Sequence, residues 1–318
     1  MKASLQESLR RVSIILPSYQ CRRQLEHHVE FMAPVLAACG RTIWVSSPSN
    51  DGTHEFSRKC AGWFHGISLV LPRGLYRAWN QGIAHVKTPW TYISTVGEFA
   101  LPEFLARMIQ RGDSACADLV VSAPFLTPAN IAFTRRWPVQ KHKWFLFCWP
   151  GRLLPQPYLL YSSLAGGHAT MMGSSASNLY RTAFLHDNPF PENYGDFGDS
   201  ALFYRTIARI RVSFCRGWGS GFTAHYAERV LPRMSSFRRL VYETKSSLPP
   251  PVWNPLFRFL AFRTLLTRKR GVKPGRGWWL NPLLFRFRIL STWFGLKGPF
   301  LLRRQTVPAS RISGTPGR

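Results

Sequence analysis

The feature that most constrains this chain is a repeated switch of apolar period between residues 12 and 122. Val12-Ser-Ile-Ile-Leu-Pro17 is a short β-branched run stopped by proline, and it reads as a strand buried on both faces. The next segment, 22–38, carries apolar residues at helical spacing through Leu25, Val29, Met32 and Leu36. Thr42-Ile-Trp-Val45 and Ile67-Ser-Leu-Val-Leu71 predict two further strands, with the turn-rich Ser46-Ser-Pro-Ser-Asn-Asp-Gly-Thr53 after the first of them. A helical stretch from 75 to about 86, a strand at 90–95, a helix opening near Pro102 and a strand at 118–122 complete the series. Such alternation predicts an α/β domain: a mostly parallel, Rossmann-like sheet with helices on both faces. Ligands of these sheets bind at the carboxyl ends of the strands, so the segments to search are 17–21, 46–53, 72–80 and 95–99. Residues 125–175 are irregular and proline-rich, and read as an insertion or acceptor-side region.

Two carboxylates stand out at that edge and beyond it. Glu98 follows a buried strand directly, in Thr95-Val-Gly-Glu98, where a carboxylate either holds a divalent ion or is a solvated loop residue. Asp199, with Asp196 as the alternative three residues earlier, lies where a glycine-containing loop enters a helical pattern. An acid there is either a general base or a helix cap. Asp51 sits in an Asn-Asp-Gly turn that also forms on local grounds. Arg77 and Asn80 share a helix, and an arginine there pairs with a phosphate or is solvated. His225 is a ligand or a satisfied structural histidine, and His27 and His28 read as surface or packing residues.

Taken in order, these segments resemble family 2 glycosyltransferases over roughly residues 10–240. The resemblance is carried by Val12 to Tyr19, Ser49-Asn-Asp-Gly-Thr53, Gly74-Leu-Tyr-Arg-Ala-Trp-Asn-Gln-Gly-Ile83, Tyr92-Ile-Ser-Thr-Val-Gly-Glu98 and Asn193-Tyr-Gly-Asp-Phe-Gly-Asp199. It implies a GT-A (nucleotide-diphospho-sugar transferase) fold and an inverting transfer of a sugar from a nucleotide-diphosphate donor to a hydroxyl acceptor. It implies donor contacts from Pro17, Ser18, Tyr19, Ser46, Asp51, Arg77, Asn80 and Gly97. A Mg²⁺ or Mn²⁺ ion would be held by Glu98 and His225, and Asp199 or Asp196 would serve as base. The chain departs from the family in two places: Ser46 and Ser47 stand where the family has an aspartate pair, and Thr95 where it has a further acid. A non-catalytic sugar-nucleotide-binding protein of the same fold is the rival reading.

Charge divides the chain. Residues 1–243 hold 27 Lys/Arg against 15 Asp/Glu, whereas 244–318 hold 15 Lys/Arg and no acid. We expect a catalytic domain at 10–243, a basic aromatic helical extension at 244–305 and a disordered Ser/Pro/Gly-rich tail at 306–318. Arginines interleaved with Trp253, Phe257, Phe259, Phe262, Trp278 and Trp279 suit an anionic membrane surface, or single-stranded nucleic acid by stacking and charge. The first of these is the expectation, with a glycan or lipid-linked glycan as acceptor and no specific nucleic acid. The six scattered cysteines form no C-x-x-C pair, no run reaches about 18 uninterrupted apolar residues, and the first residues lack a signal-peptide core. Those features point to the cytoplasmic face of a membrane.

Overall fold

The computed structural model describes residues 3–72, 74–127, 137–138, 151–154, 159, 175–217 and 219–223. The extension at 244–305, the tail and His225 lie outside the described residues. A seven-stranded sheet has the order β10-β6-β9-β4-β1-β2-β3. Its members are β1 (Val12–Ser18), β2 (Arg41–Ser46), β3 (Ile67–Val70), β4 (Trp90–Ile93), β6 (Leu119–Val121), β9 (Asn178–Arg181) and β10 (Val212–Phe214). The strands β1 to β4 pair in parallel, as do β6 and β10, while β9 runs antiparallel between β4 and β6. All the parallel strands therefore deliver their carboxyl ends to one edge.

Alternation along β1 separates two apolar layers. Ile14 and Leu16 face a layer built with Leu9, Leu25, Met32, Leu36, Phe104 and Met108. These come from α1 (Ala3–Arg10), α2 (Arg22–Ala38) and α5 (Pro102–Ser114), and α3 (Thr53–Trp63) adds Phe56 and Cys60. Ile15 faces the other layer, with Tyr76, Trp79 and Ile83 of α4 (Leu75–Ala84), Leu185 of α6 (Thr182–Asp187) and Leu202 and Phe203 of α7 (Gly198–Thr206). Every residue of β1 is buried, as expected of a central strand covered on both faces. Gly82 lets α4 approach closely, because a Cβ there would lie 2.6 Å from Ile15 Cγ2.

The expected α/β architecture is present, and the main predicted strands and helices fall within a few residues of their sequence positions. Several elements were not expected. The helices α1, α3 and α6 and the strands β9 and β10 have no counterpart in the sequence reading, and a second, four-stranded sheet has the order β5-β11-β7-β8. It comprises β5 (Glu98–Ala100), β11 (Ser220–Thr223), β7 (Phe125–Thr127) and β8 (Trp137–Pro138). Glu98 is thus the first residue of a short strand paired with Phe222, not a loop residue.

Candidate active site

The switch point of the large sheet lies between β1 and β4, because the chain runs outward through β2 and β3 before returning beside β1. Ligands of open α/β sheets bind outside such a crevice. Two loops form a ledge there. The Ser47 N–H donates to the Ser18 carbonyl (3.0 Å), the Gln20 N–H to Ser49 Oγ (3.1 Å) and the Cys21 N–H to Thr53 Oγ1 (2.9 Å). Asp51 ties this ledge together: it accepts from the Arg22 N–H (3.0 Å), the Thr53 N–H (3.0 Å) and Thr53 Oγ1 (2.6 Å). Burial alone would raise the Asp51 pKa, but the bonds from Thr53 and Arg22 outweigh it and hold the carboxyl below its ordinary value. Ser46 Oγ is bonded to His54 Nδ1 (2.8 Å). Pro17 and Ser18 are buried at the end of β1, Tyr19 is half-buried, and the Ser18 hydroxyl has no hydrogen-bond partner among the described residues.

Beyond β4, the turn 94–97 presents Glu98. The Glu98 N–H donates to the Thr95 carbonyl (2.8 Å), and Gly97 adopts a φ of 92°, a left-handed value that glycine takes without steric penalty. The turn is held from below by a residue that sequence reasoning left as surface or packing. The buried His28 of α2 accepts from the Gly97 N–H at Nδ1 (3.3 Å) and meets Ser94 Oγ at Nε2 (3.3 Å), while Ser94 Oγ donates to the Glu98 carbonyl (3.0 Å). Burial lowers the His28 pKa to about 4, so the ring is neutral and its Nδ1 stays an acceptor. The Glu98 carboxylate is half-buried and accepts from Ser175 Oγ, which also bonds Thr95 Oγ1 (3.0 Å).

Asp199 lies in the first turn of α7 and is partly exposed. Its Oδ1 accepts from the Ser200 N–H (2.6 Å) and from the Tyr76 hydroxyl (3.1 Å). Desolvation is the largest influence on this carboxyl and raises its pKa above the ordinary value, against the lowering effect of those hydrogen bonds. Gly198 makes the Tyr76 contact possible, since a Cβ there would stand 2.5 Å from the Tyr76 ring. Asn80, one turn after Tyr76 on α4, clamps the approach to α7. Its Nδ2 donates to the Phe190 carbonyl (2.8 Å) and to Glu192 Oε1 (3.1 Å), and its Oδ1 accepts from the Phe190 N–H (2.9 Å). Arg77 is exposed and pairs with Glu192 at 3.7 Å. The main chain of Asp196 belongs to the turn Glu192–Phe197, kinked at Gly195 with a φ of 57°; its side chain lies outside the described residues.

Tyr180 lies within the electrostatic reach of both carboxylates. It is buried on β9, its hydroxyl accepts from Asn178 Nδ2 (3.3 Å), and its pKa is raised first by burial, then by the charge of Asp199 and also by that of Glu98. One hydroxyl therefore feels both acids, which come from segments about a hundred residues apart. Sequence reasoning found the acids but missed Tyr76, His28, Ser175 and Tyr180. The only signal was the spacing of Tyr76 and Asn80, which puts both on one helical face.

Among the described residues no three His, Cys, Asp or Glu side chains gather as a metal set. A single carboxylate at the start of β5, just past the turn that follows β4, fits a hard cation that takes its other ligands from phosphates and water, as Mg²⁺ commonly does. It does not fit a cation caged entirely by protein.

No protein-family model and no curated protein matches the sequence. Solved structures match the fold. Staphylococcus aureus TarS aligns with a TM-score of 0.58 at 15% identity, over 89% of this chain and 48% of TarS, so the chain spans about half the length of that protein. TarS 1-349 in complex with UDP aligns at 0.56 and 15% identity, over 80% of this chain and 70% of the other. Glucosyl-3-phosphoglycerate synthase from Mycobacterium tuberculosis, in complex with Mn²⁺, UDP and glucosyl-3-phosphoglycerate, aligns at 0.50 and 16% identity, over 78% of this chain and 84% of the other. At such identities the likeness is one of architecture, and by architecture this chain has the GT-A fold.

Proposed function

We propose that the protein is a glycosyltransferase that moves a sugar, with inversion, from a nucleotide-diphosphate donor to a hydroxyl acceptor. The observation that carries this reading is the placement of two acids in a GT-A sheet, Glu98 on the turn that follows β4 and Asp199 held by Tyr76 of α4. The neighbours solved with UDP make a UDP-sugar the first donor to test. In this reading Asp199 takes the acceptor proton as the hydroxyl attacks the anomeric carbon. Its raised pKa suits a base better than an ordinary aspartate does. Tyr76 and the Ser200 N–H orient the carboxylate so that one oxygen is held and the other is directed to substrate. The ledge at 18–22 and 46–53 takes the nucleoside, Arg77 meets the donor phosphates, and Gly97 allows close approach of the main chain. A Mg²⁺ or Mn²⁺ held by Glu98, with His225 as the proposed second ligand, would neutralise charge on the departing diphosphate.

The acidic partners that the resemblance leads one to expect at Ser46 and Ser47 are hydroxyls here, and Ser46 is occupied by His54. This favours a sugar-nucleotide-binding protein as the second reading. Purified protein screened against UDP-, GDP- and dTDP-sugars, with and without Mn²⁺, separates the two. Metal-dependent release of one nucleotide, lost in Glu98→Ala, is the expected result. Binding without turnover that survives Glu98→Ala would favour the second reading. No helix among the described residues is long and apolar enough to cross a membrane. We assign the acid-free extension 244–305 to peripheral contact with an anionic membrane at its cytoplasmic face, where the acceptor is a cell-surface or lipid-linked glycan. The domain limits 10–243, 244–305 and 306–318 belong to this proposal.

A further inference from the structure

The helix α2 touches both parts of the proposed site. Its start lies on the nucleoside ledge: Asp51 accepts from the Arg22 N–H (3.0 Å), and the Cys21 N–H just before the helix donates to Thr53 Oγ1 (2.9 Å). The Arg22 side chain is tied down as well. Its Nη2 donates to Glu26 Oε1 (2.6 Å), and its guanidinium carbon stands 4.0 Å from the centre of the Phe56 ring on α3. Six residues on, a rise of about 9 Å along the axis, His28 meets the turn that presents Glu98. Phe31 then packs edge-on against Phe99 of β5, with ring centres 4.8 Å apart.

The bonds around His28 fit one tautomer. Nδ1 accepts from the Gly97 N–H, so the ring proton is on Nε2, which donates to Ser94 Oγ. The Ser94 hydroxyl is then left to donate to the Glu98 carbonyl. One buried ring thereby holds both ends of the turn 94–97. Its neighbours on that face of α2, Leu25, Val29 and Met32, are buried and apolar. An imidazole among them is costly to bury unless it is hydrogen-bonded, and both of its nitrogens are spent on this turn.

We propose that His28 is a positioning residue for the metal, and that α2 sets the separation between the nucleoside ledge and the Glu98 carboxylate. The inference rests on the reading of Glu98 as the metal ligand. A cation with one protein carboxylate takes its remaining ligands from the donor diphosphate and water, so it is held where carboxylate and diphosphate arrive together. The ledge places the diphosphate through its nucleoside, and the turn places the carboxylate. The helix α2 is bonded to both. Groups that orient a metal ligand without touching the ion lower metal affinity by about 10–100-fold when they are removed.

Uptake of Mn²⁺ by the full chain with saturating UDP tests this, read from the electron paramagnetic resonance of the free ion. Calorimetry of UDP without metal runs beside it. His28→Leu removes both bonds at similar volume, and His28→Asn keeps an oxygen for the Gly97 N–H. We expect the Mn²⁺ dissociation constant to rise about 10–100-fold in His28→Leu and by no more in His28→Asn, with metal-free UDP affinity within about twofold of wild type. Wild-type Mn²⁺ uptake by His28→Leu overturns the proposal. Where that variant does not fold, Ser94→Ala replaces it, since it cuts the link to the Glu98 carbonyl with a smaller change, and wild-type uptake there is equally fatal. A matching fall in metal-free UDP affinity also overturns the proposal, because the helix as a whole would then be disturbed. Absence of Mn²⁺ uptake by the wild type with UDP bound would sink the metal reading of Glu98 and this inference together.

Discussion

The Asp199 carboxyl is pulled in opposite directions: burial opposes its ionisation, while Tyr76 and the Ser200 N–H favour it, and burial prevails. A carboxyl whose folded pKa is raised supports the fold below its unfolded value of 3.8 and loses that contribution as pH rises through the folded value. Asp199→Asn keeps an oxygen for both donors and removes the charge. We therefore expect the variant to melt higher than the wild type at pH 7, with the gain fading as pH falls toward 3.8. Thermal melts across pH measure this, and transferase turnover should drop by about 10²–10⁴-fold if Asp199 is the base. At this scale the sequence disclosed the residues with recognisable chemistry and hid those with positional roles. Glu98 and Asp199 are acids beside strand and helix ends, whereas His28 matters only because Gly97, 69 positions away, folds onto its ring.

On α4, Tyr76 reaches Asp199 of α7 directly, and Asn80 anchors the segment that leads into that helix. Asn80 bonds both the N–H and the carbonyl of Phe190, and so fixes the segment that turns through Glu192–Phe197 into α7 and Asp199. Asn80→Ala would strand two main-chain groups, costing about 1–3 kcal/mol. Activity measured well below the melting temperature should fall further than the lost stability explains, because Asp199 would no longer be aimed. Stability by denaturant titration and kcat/KM on the same sample check this, and unchanged kcat/KM would show that α7 is positioned independently. Elements differed in legibility for a physical reason. The buried strands β1, β2 and β4 announce themselves by β-branched and aromatic runs. The helix α3 buries Ser57 and Cys60 with Phe56, a weak apolar stripe, and the three-residue strands β5 and β10 are too short to show a period.

At the scale of the molecule, His28 links the acid response of the fold to the turn that carries Glu98. Its pKa falls from 6.5 in the unfolded chain to about 4 on burial. A group depressed in this way contributes stability above 6.5 and loses it as pH falls toward 4, at about 1.4 kcal/mol per pH unit for one proton. The wild type should therefore lose stability between pH 6.5 and 4 more steeply than His28→Asn, whose amide oxygen can still accept from Gly97. Denaturant midpoints across that window decide it, and parallel curves would rule out His28 as the source. The overall architecture was legible because the strand–helix period persists from 12 to 122. The antiparallel insertion of β9 was not, since Asn178-Leu-Tyr-Arg181 gives no directional signal.

That insertion has a consequence for synthesis. Until Arg181 has left the ribosome, β4 offers one unpaired side and β6 has no neighbour, since both wait for β9. The nascent chain thus carries bare apolar strand edges through more than fifty residues of further translation, the condition in which chains of this size recruit chaperones or aggregate.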